Sequence, residues 1–338
     1  SASASVLALR PIKNFGTRST RCATEILTQE WRKPGVAVSI ARKRVVAGLV
    51  AVAALLVMVV ALSWQPDRPV EELTARWAPP PSQWMELDGD RIHWRDEGRR
   101  DDPLPLVLLH GTAASLHTWD GWVAALAPER RVIRFDLPGF GLTGPAIDGD
   151  YRLARYVERL RQLLDRLQIS RAVLIGNSLG GQIAWATAVV HPERVAGLVL
   201  IDAAGYPFVP ESIPIGFKLA RSPTLAPLVQ KLLPRAIVAA SVRNTYGNPE
   251  RVSEDVIDRY FELTLRAGNR QAVVARFAQT DYSEMSERIR DVRAPTLILW
   301  GGRDRLIPPE NGEHFHTDIA GSELVVFPDL GHVPQEED

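Results

Sequence analysis

The amino-acid sequence predicts an α/β protein in which a mostly parallel sheet is flanked by helices. The first observation behind this prediction is alternation: apolar runs of strand length alternate with runs of helical periodicity from residue 104 onward. The second is that polar residues directly follow the predicted strands, where the functional groups of parallel sheets lie. The third is the stretch 171–181, RAVLIGNSLGG, which joins a strand-length apolar run to a helical run through a Gly-Asn-Ser-Leu-Gly turn.

The individual elements follow from alternation or short apolar runs for strands, and from apolar residues three or four positions apart for helices. Eight strands are expected, at 83–88, 91–98, 104–109, 131–135, 172–175, 195–201, 295–300 and 323–327. Helices are expected between the later strands, at 115–126, 151–167, 182–190 and 309–319. Because a helix separates these strands, they are expected to pair in parallel and to be covered on both faces.

The part of the chain after residue 64 divides into a linker, a core and an insertion. Residues 65–82 are predicted to be a linker, partly helical and partly stiffened by prolines. The core is predicted over 83–205 and 291–338. Between these two parts, at 206–290, the alternation stops and proline-broken helical pieces replace it, at 215–220, 225–240, 253–267 and 270–277. A stretch of this length is too long for a plain loop, so we expect a helical cap inserted after the sixth strand.

The N-terminal part predicts a membrane anchor. Residues 1–44 are rich in arginine and lysine and are expected to be basic and flexible. Val45–Leu62 contains no charged residue and, as a helix, would span roughly 27 Å, so an anchor is predicted over 45–64. The basic cluster at 42–44 predicts a cytoplasmic N-terminus, which leaves the following residues outside the cytoplasm, in the periplasm or the extracellular space. A cleaved signal peptide and a buried core helix are the alternatives.

Composition excludes several classes of protein. Among 338 residues, 46% are hydrophobic and 24% are charged, which is typical of a globular protein. The formal net charge is zero, so no overall field favours a nucleic-acid partner. The one cysteine, Cys22, cannot form an intramolecular disulfide. No cofactor and no metal are expected, because neither metal-ligand spacing nor a nucleotide-binding glycine pattern occurs.

The turn at Ser178 predicts an exposed nucleophile. Glycines two positions before and two positions after this serine permit a sharp turn, which lifts the hydroxyl above the edge of the sheet. A serine hydroxyl is a poor nucleophile at neutral pH and needs a base within hydrogen-bond reach, itself oriented by a third group. His332 is the predicted base, since a turn containing Gly331 follows the last strand and lets the imidazole ring reach back over the sheet edge.

Two aspartates compete for the role of the orienting acid. Asp304 follows a strand and a Gly-Gly turn, upstream of His332, and is the preferred candidate. Asp202 ends the preceding strand and is the alternative, although it could equally cap its own turn. Asp136 is expected to fix the loop 136–141, DLPGFG, and His110 lies in a stretch that supplies backbone donors.

These motifs, taken in order, resemble the α/β-hydrolase superfamily over residues 83 to 332. They are His110-Gly111-Thr112 after the third strand, the loop 136–141, the turn 176–180, the turn 301–304 and Gly331-His332. The resemblance implies the α/β-hydrolase fold, with Ser178 as nucleophile, His332 as general base and then acid, and Asp304 as the orienting carboxylate. It also implies an oxyanion hole formed by the backbone N–H groups of Thr112 and Leu179.

The sequence departs from the superfamily pattern at its end, since members normally continue past the histidine with a further helix, which is expected to be missing here. Serine at position 178 argues against the dehalogenases and epoxide hydrolases of the superfamily, which use aspartate. The predicted function is therefore hydrolysis of carboxylic esters, as in esterases and lipases, through an acyl-enzyme. Small apolar esters are the expected substrates, in contact with Trp119, Phe208, Phe217, Leu225 and Leu228.

Several alternatives keep the same three residues. They are hydrolysis of a carbon–carbon bond in diketone-like substrates, lactone hydrolysis, perhydrolysis and acyl transfer to an acceptor other than water. A different class of function is a hydrolase-like binding module without activity. That class predicts the loss of the nucleophile, the base or the acid, whereas candidates for all three are present at 178, 332 and 304.

Overall fold

The computed structural model describes residues 34–281 and 283–338, which fall into two units: the first ends at Met58 and the second covers Val59–Asp338. Helix α1 covers Pro34–Ser63 and contains the predicted apolar segment. Within it, the 20 residues Arg42–Ala61 have a mean hydropathy of 2.6 and are long and apolar enough to cross a membrane. Most of the predicted basic segment, residues 1–33, lies outside the described residues.

The second unit is built around an eight-stranded sheet, as the sequence predicts. The strands are β1 (Gln83–Leu87), β2 (Asp90–Gly98), β3 (Leu106–Leu109), β4 (Arg131–Phe135), β5 (Ala172–Asn177), β6 (Val195–Ile201), β7 (Thr296–Gly301) and β8 (Glu323–Phe327). Their order across the sheet is β1-β2-β4-β3-β5-β6-β7-β8. The pairs β1–β2 and β2–β4 are antiparallel, and all other pairs are parallel. The carboxyl ends of β3 to β8 therefore share one edge.

Helices flank the sheet and fill the insertion. After α1 they are α2 (Val70–Trp77), α3 (Asp120–Leu126), α4 (Leu153–Arg166), α5 (Leu179–Val190), α6 (Ile215–Arg221), α7 (Ala226–Val229), α8 (Arg235–Thr245), α9 (Glu254–Thr264), α10 (Asn269–Gln279), α11 (Glu310–Asp318) and α12 (Pro334–Glu337). The predicted helix 225–240 is two helices, because Pro234 has no backbone N–H to donate within a helix and instead precedes α8. The predicted helix 115–126 begins with a 3₁₀ turn at Leu116–Trp119.

The centre of the core lies where β5 and α5 meet. Eleven residues of α5, Leu179 to Val189, are buried, so the helix is apolar on all sides rather than amphipathic. It packs against β3, β5 and β6 on one side and against α4 on the other. The other face of the sheet buries a separate cluster that includes Leu108, Ile175 and Trp119. The turn between β5 and α5 is thus held by packing from both sides.

Residues 65–82, predicted as a linker, are bound to the helical insertion. The N–H groups of Gln65 and Arg68 donate to the carbonyls of Lys231 (3.1 Å) and Leu265 (2.7 Å). Helices α6 to α10 lie between β6 and β7, and α8 and α9 share a hydrophobic cluster of their own, to which Val333 also belongs. The insertion is therefore tied to the chain on both sides of the core.

Candidate active site

Ser178 lies in the sharp turn between β5 and α5. Its backbone angles, φ 54° and ψ −114°, are strained for a residue with a side chain. The turn is tight enough that a Cβ atom on Gly176 would lie 2.3 Å from the carbonyl carbon of Gly180, and a Cβ on Gly180 would lie 2.0 Å from the carbonyl oxygen of Leu109. Glycine is therefore required at both positions, which explains the motif physically.

His332 and Asp304 form a buried pair beside this turn. Nδ1 of His332 lies 2.7 Å from Oδ2 of Asp304. The other oxygen of Asp304 accepts hydrogen bonds from the N–H groups of Leu306 (2.8 Å) and Ile307 (3.0 Å). A ring that donates from Nδ1 to this carboxylate carries its proton there, which leaves Nε2 of a neutral His332 able to accept a proton.

The loop that carries His332 is held by residues that the sequence analysis did not single out. Its backbone N–H donates to the carbonyl of Thr245 (2.7 Å), and its carbonyl accepts from Nδ2 of Asn177 (2.9 Å). One carboxylate oxygen of Glu337, in α12, accepts from the N–H of Gly331 (2.6 Å) and the other from Gly247 (2.9 Å). These contacts join the His332 loop to the serine turn, the insertion and the C-terminal helix.

Asp202, the alternative acid, lies next to Asp304 rather than facing the cavity. It is fully buried at the end of β6, and its Oδ1 accepts a hydrogen bond from the N–H of Gly301 (3.0 Å). One side-chain ligand atom each of Asp202, Asp304 and His332 lies within 4.8 Å of the other two. Burial and then the charge of Asp304 raise the pKa of Asp202 well above its ordinary value. The carboxylate that contacts Nδ1 of His332 is that of Asp304.

His110 and Asp136 fix the loops around the predicted oxyanion hole. Nε2 of His110 accepts from the N–H of Leu137 (2.9 Å), while Nδ1 donates to the carbonyl of Gly111 (2.8 Å). Burial lowers the pKa of His110, so the ring is neutral at pH 7 and fits these two roles. The carboxylate of Asp136 accepts from the N–H groups of Leu116 and Leu142, at 2.7 and 2.8 Å. Both ring nitrogens of His110 are thus engaged in hydrogen bonds that hold these loops.

A cavity of about 140 Å³ lies over Ser178 and is lined by both core and insertion. Ser178, His332, Thr112 and Leu179 all contribute to its wall. Leu179 is the first residue of α5, so its N–H has no acceptor within the helix. The arrangement brings a hydroxyl, an imidazole and two predicted N–H donors to one wall, which is what acyl transfer through a serine requires.

Three of the five predicted substrate contacts do not line this cavity. Phe208 and Phe217 do, but Trp119 is packed under the sheet, with its ring 5.6 Å from that of Trp122. Leu225 and Leu228 are 41% and 54% exposed beside and within the one-turn helix α7. The expectation for these three residues is wrong because apolar periodicity identifies buried faces of long helices, and a single turn has no such face.

Two buried arginines in the cavity wall were not anticipated. Arg270 and Arg276, both in α10, are 2% and 3% exposed. Arg270 is paired with Asp67 through Nη2 (2.5 Å) and keeps Nη1 without a partner. Nε and Nη1 of Arg276 have no hydrogen-bond partner among the described residues. The charge of Arg270 is thus balanced by Asp67, whereas Arg276 places a guanidinium without a described carboxylate partner in an otherwise mostly apolar wall.

Two proteins with sequences similar to this chain are hydrolases. The chain is 31% identical over 258 residues to 2-hydroxymuconate semialdehyde hydrolase of a Pseudomonas strain, which covers 74% of the chain and 86% of that protein. It is 30% identical over 266 residues to 2-hydroxy-6-oxononadienedioate/2-hydroxy-6-oxononatrienedioate hydrolase of Escherichia coli, at 73% and 86% coverage.

A solved structure of similar fold is a thermophilic esterase from Thermogutta terrifontis. It matches with a TM-score of 0.63 and 28% identity, over 75% of the chain and 93% of the esterase. Residues 105–338 match the family model described as the alpha/beta hydrolase fold. This region contains the serine turn, both aspartates and His332, and by this match the chain belongs to the α/β-hydrolase family.

Proposed function

We propose that the chain is a serine hydrolase that transfers an acyl group to water, with Ser178, His332 and Asp304 as its catalytic triad. The observation that carries the proposal is the 2.7 Å contact between His332 and Asp304 over the cavity that Ser178 lines. Attack of the Ser178 hydroxyl on a carbonyl carbon passes its proton to Nε2 of His332. The N–H groups of Thr112 and Leu179 stabilise the resulting oxyanion, and His332 then protonates the leaving group.

The acyl-enzyme is released by the reverse sequence of proton transfers. His332 takes a proton from a water molecule as that water attacks the carbonyl carbon, and returns it to the Ser178 oxygen as the acid leaves. Asp304 accepts the hydrogen bond from Nδ1 throughout and stabilises the imidazolium form of His332. This scheme is the same whether the leaving group is an alcohol or a carbon acid, so the bond that is cleaved depends on the substrate cavity.

We favour a carbon–carbon bond next to a ketone, in a substrate with a carboxylate, over the small apolar ester expected from the sequence. Two relatives at 30–31% identity are hydrolases of a muconate semialdehyde and of an oxo-dienedioate, compounds without an ester bond. The guanidinium group of Arg276, whose Nε and Nη1 have no partner among the described residues, suits an anionic substrate. Ester hydrolysis is the second candidate, because an esterase is among the 28%-identical structures.

The test is a direct comparison of the two bond types with the purified full-length chain in detergent. One set of substrates is 2-hydroxy-6-oxo-dienoates, followed by loss of their absorbance, and the other is nitrophenyl esters of graded acyl length. We expect kcat/KM to be at least tenfold higher for the dienoates. Higher values for neutral esters would make the chain an esterase, and Ser178→Ala should lower kcat by about 10⁴–10⁶ for either set. Substantial residual turnover with unchanged circular dichroism would contradict the role of Ser178.

We also propose that α1 anchors the chain in a membrane with its N-terminus in the cytoplasm. The apolar residues Val45–Leu62 follow the basic cluster at 42–44, which favours retention of that side in the cytoplasm. The catalytic unit would then act in the periplasm or the extracellular space.

A further inference from the structure

The buried carboxyl of Asp202 has no role in the reaction described above, although it lies against Asp304. It is fully buried, its Oδ1 accepts from the N–H of Gly301, and no N–H donor of the described residues reaches its Oδ2. A buried carboxylate oxygen without a donor is costly. A protonated carboxyl oxygen, in contrast, can donate a hydrogen bond to the neighbouring carboxylate.

The two carboxyls cannot both be ionised in this environment. Their oxygens lie within 4.8 Å of each other, and like charges at that distance without solvent repel strongly. Asp304 accepts three hydrogen bonds, from His332 and from two backbone N–H groups, whereas Asp202 accepts one. The carboxyl with more donors keeps the charge, so the proton belongs to Asp202.

We propose that Asp202 is a positioning residue, whose protonated carboxyl donates a hydrogen bond to Asp304 and holds that carboxylate in place on His332. The role rests on the proposed triad, since it acts only through Asp304. No proton leaves Asp202 during turnover. The hydrogen bond from its carboxyl group disperses part of the negative charge of Asp304, and this limits how strongly Asp304 stabilises the protonated form of His332.

Among the described residues, the two carboxyl groups that act on Asp202 both favour its protonated form. Asp304 and Glu337 both disfavour its ionisation, and the charge of Asp304 is the stronger influence. Glu337 reaches this region from α12, where burial raises its own pKa although three backbone N–H groups oppose the shift. His332 is the remaining titratable neighbour and faces Asp304 directly.

Two substitutions separate hydrogen-bond donation from mere packing. Asp202 has φ 43°, a conformation that asparagine and glycine tolerate better than most residues, so Asp202→Asn and Asp202→Gly suit the backbone. Asparagine keeps an N–H donor towards Asp304, and glycine removes it. In the plot of kcat/KM against pH, we expect the midpoint of the rise on the acid side to stay unchanged in Asp202→Asn. In Asp202→Gly it should move by about one pH unit to higher pH, because the negative charge of Asp304, no longer shared with a donor, then stabilises the imidazolium form of the ring more strongly.

A second measurement does not depend on activity, so it remains informative if the proposed function fails. Infrared difference spectra of the full-length chain at pH 7 should show the carbonyl stretch of a buried protonated carboxylic acid. That band should be absent from Asp202→Asn and present in Glu337→Gln, which is the matched control. Retention of the band in Asp202→Asn, or the same acid-side midpoint in Asp202→Gly as in the unchanged chain, would overturn the proposal.

Discussion

At the scale of single residues, His332 depends on the carboxylate that orients it. Asp304→Asn replaces the oxygen that lies 2.7 Å from Nδ1 by an amide group, which favours the wrong tautomer of the ring. We expect kcat to fall roughly 10⁴-fold. Asp202→Asn should cost far less, because it keeps a donor towards Asp304. The measurement is steady-state kinetics of both variants, and the reverse ranking would transfer the role of the acid to Asp202.

We expect Arg276 to determine whether the cavity prefers substrates that carry a carboxylate. Its guanidinium is buried in the cavity wall, with Nε and Nη1 unpaired among the described residues, so a substrate carboxylate would gain charge-assisted hydrogen bonds there. Arg276→Met keeps the length of the side chain and removes the charge. We expect it to lower kcat/KM for a carboxylate-bearing substrate by about tenfold or more, with little change for a neutral nitrophenyl ester.

Arg276→Lys is the matched control for that experiment, since it keeps the charge but not the planar group with two donors. It should give an intermediate value for the anionic substrate. If Arg276→Met changes anionic and neutral substrates equally, the arginine acts on the fold of α10 rather than on the substrate.

The sequence was sufficient to bring Asp304 and His332 to the sheet edge that carries Ser178, but not to find the residues that support them. Asp304 and His332 could be placed near the serine because carboxyl ends of parallel strands meet at one edge of the sheet. Arg276 and Glu337 could not be placed in this way. Arg276 lies in an insertion whose side-chain directions no strand edge fixes, and Glu337 is an acidic residue near the chain end whose pattern is that of an exposed surface.

At the scale of elements, α6 and α10 shape the cavity together. The rings of Phe217 in α6 and Phe277 in α10 meet edge to face, with centroids 5.2 Å apart, and both line the cavity. Phe217→Ala should enlarge this part of the wall. For esters of graded acyl length, we expect the optimum of kcat/KM to move to longer chains, since each additional buried methylene contributes about 0.8 kcal/mol.

The matched control is Leu228→Ala, which truncates an apolar side chain of the same insertion. Leu228 is 54% exposed and is not part of the cavity wall, so its removal should leave the optimum unchanged. An optimum that shifts equally in both variants would mean that the insertion changes specificity through its stability and not through Phe217.

The helix boundaries illustrate why the insertion was harder to predict than the core. Strands β4, β6 and β8 have the bounds expected from sequence, because an apolar run limits a strand at both ends. In the insertion, the predicted helix 225–240 is interrupted before Pro234, and periodicity across that position joined two separate helices, Ala226–Val229 and Arg235–Thr245. Local pattern determines strand length, whereas the direction of short helices depends on contacts between distant residues.

At the scale of the whole molecule, buried histidines make stability depend on pH. Burial lowers the pKa of His110 and lowers that of His117 to about 3, from the 6.5 that each has when unfolded. Between about pH 3 and pH 6.5, His117 binds a proton in the unfolded chain but not in the folded chain, and His110 acts in the same direction. The contribution of these two histidines to the free energy of unfolding is therefore fully present above pH 6.5. It is lost as the pH falls, by up to about 1.4 kcal/mol per pH unit for each histidine.

This dependence can be measured as the free energy of urea unfolding at pH 5 and pH 7, with the full-length chain in detergent. His117→Gln should reduce the difference between the two pH values. His314→Gln, at an exposed position on α11, is the control and should leave the difference unchanged. An equal pH dependence in all three proteins would mean that carboxylates alone cause the acid destabilisation.

Attachment to a membrane is a second property of the whole molecule. The candidate membrane span Arg42–Ala61 precedes the sheet-containing part of the chain, and the backbone contacts after it begin at Ser63 and Gln65, which bond to Leu233 and Lys231 of the insertion. We expect the full-length chain to remain in the membrane pellet after washing with high salt and carbonate. Removal of residues 1–64 should release the catalytic unit, because Gln65 and the contacts that follow it are kept.

Orientation needs a separate measurement. An alkaline phosphatase fusion after residue 338 reports export, since that enzyme is active only outside the cytoplasm, and a fluorescent protein that matures in the cytoplasm gives the opposite signal. Arginine and lysine retain their end of an apolar helix on the cytoplasmic side, so we expect phosphatase activity with the native 42–44 cluster. Replacing Arg42, Lys43 and Arg44 by glutamine should reduce it. A mature protein that begins near Trp64 would show that the helix is a cleaved signal peptide, and fluorescence without phosphatase activity would place the catalytic unit in the cytoplasm.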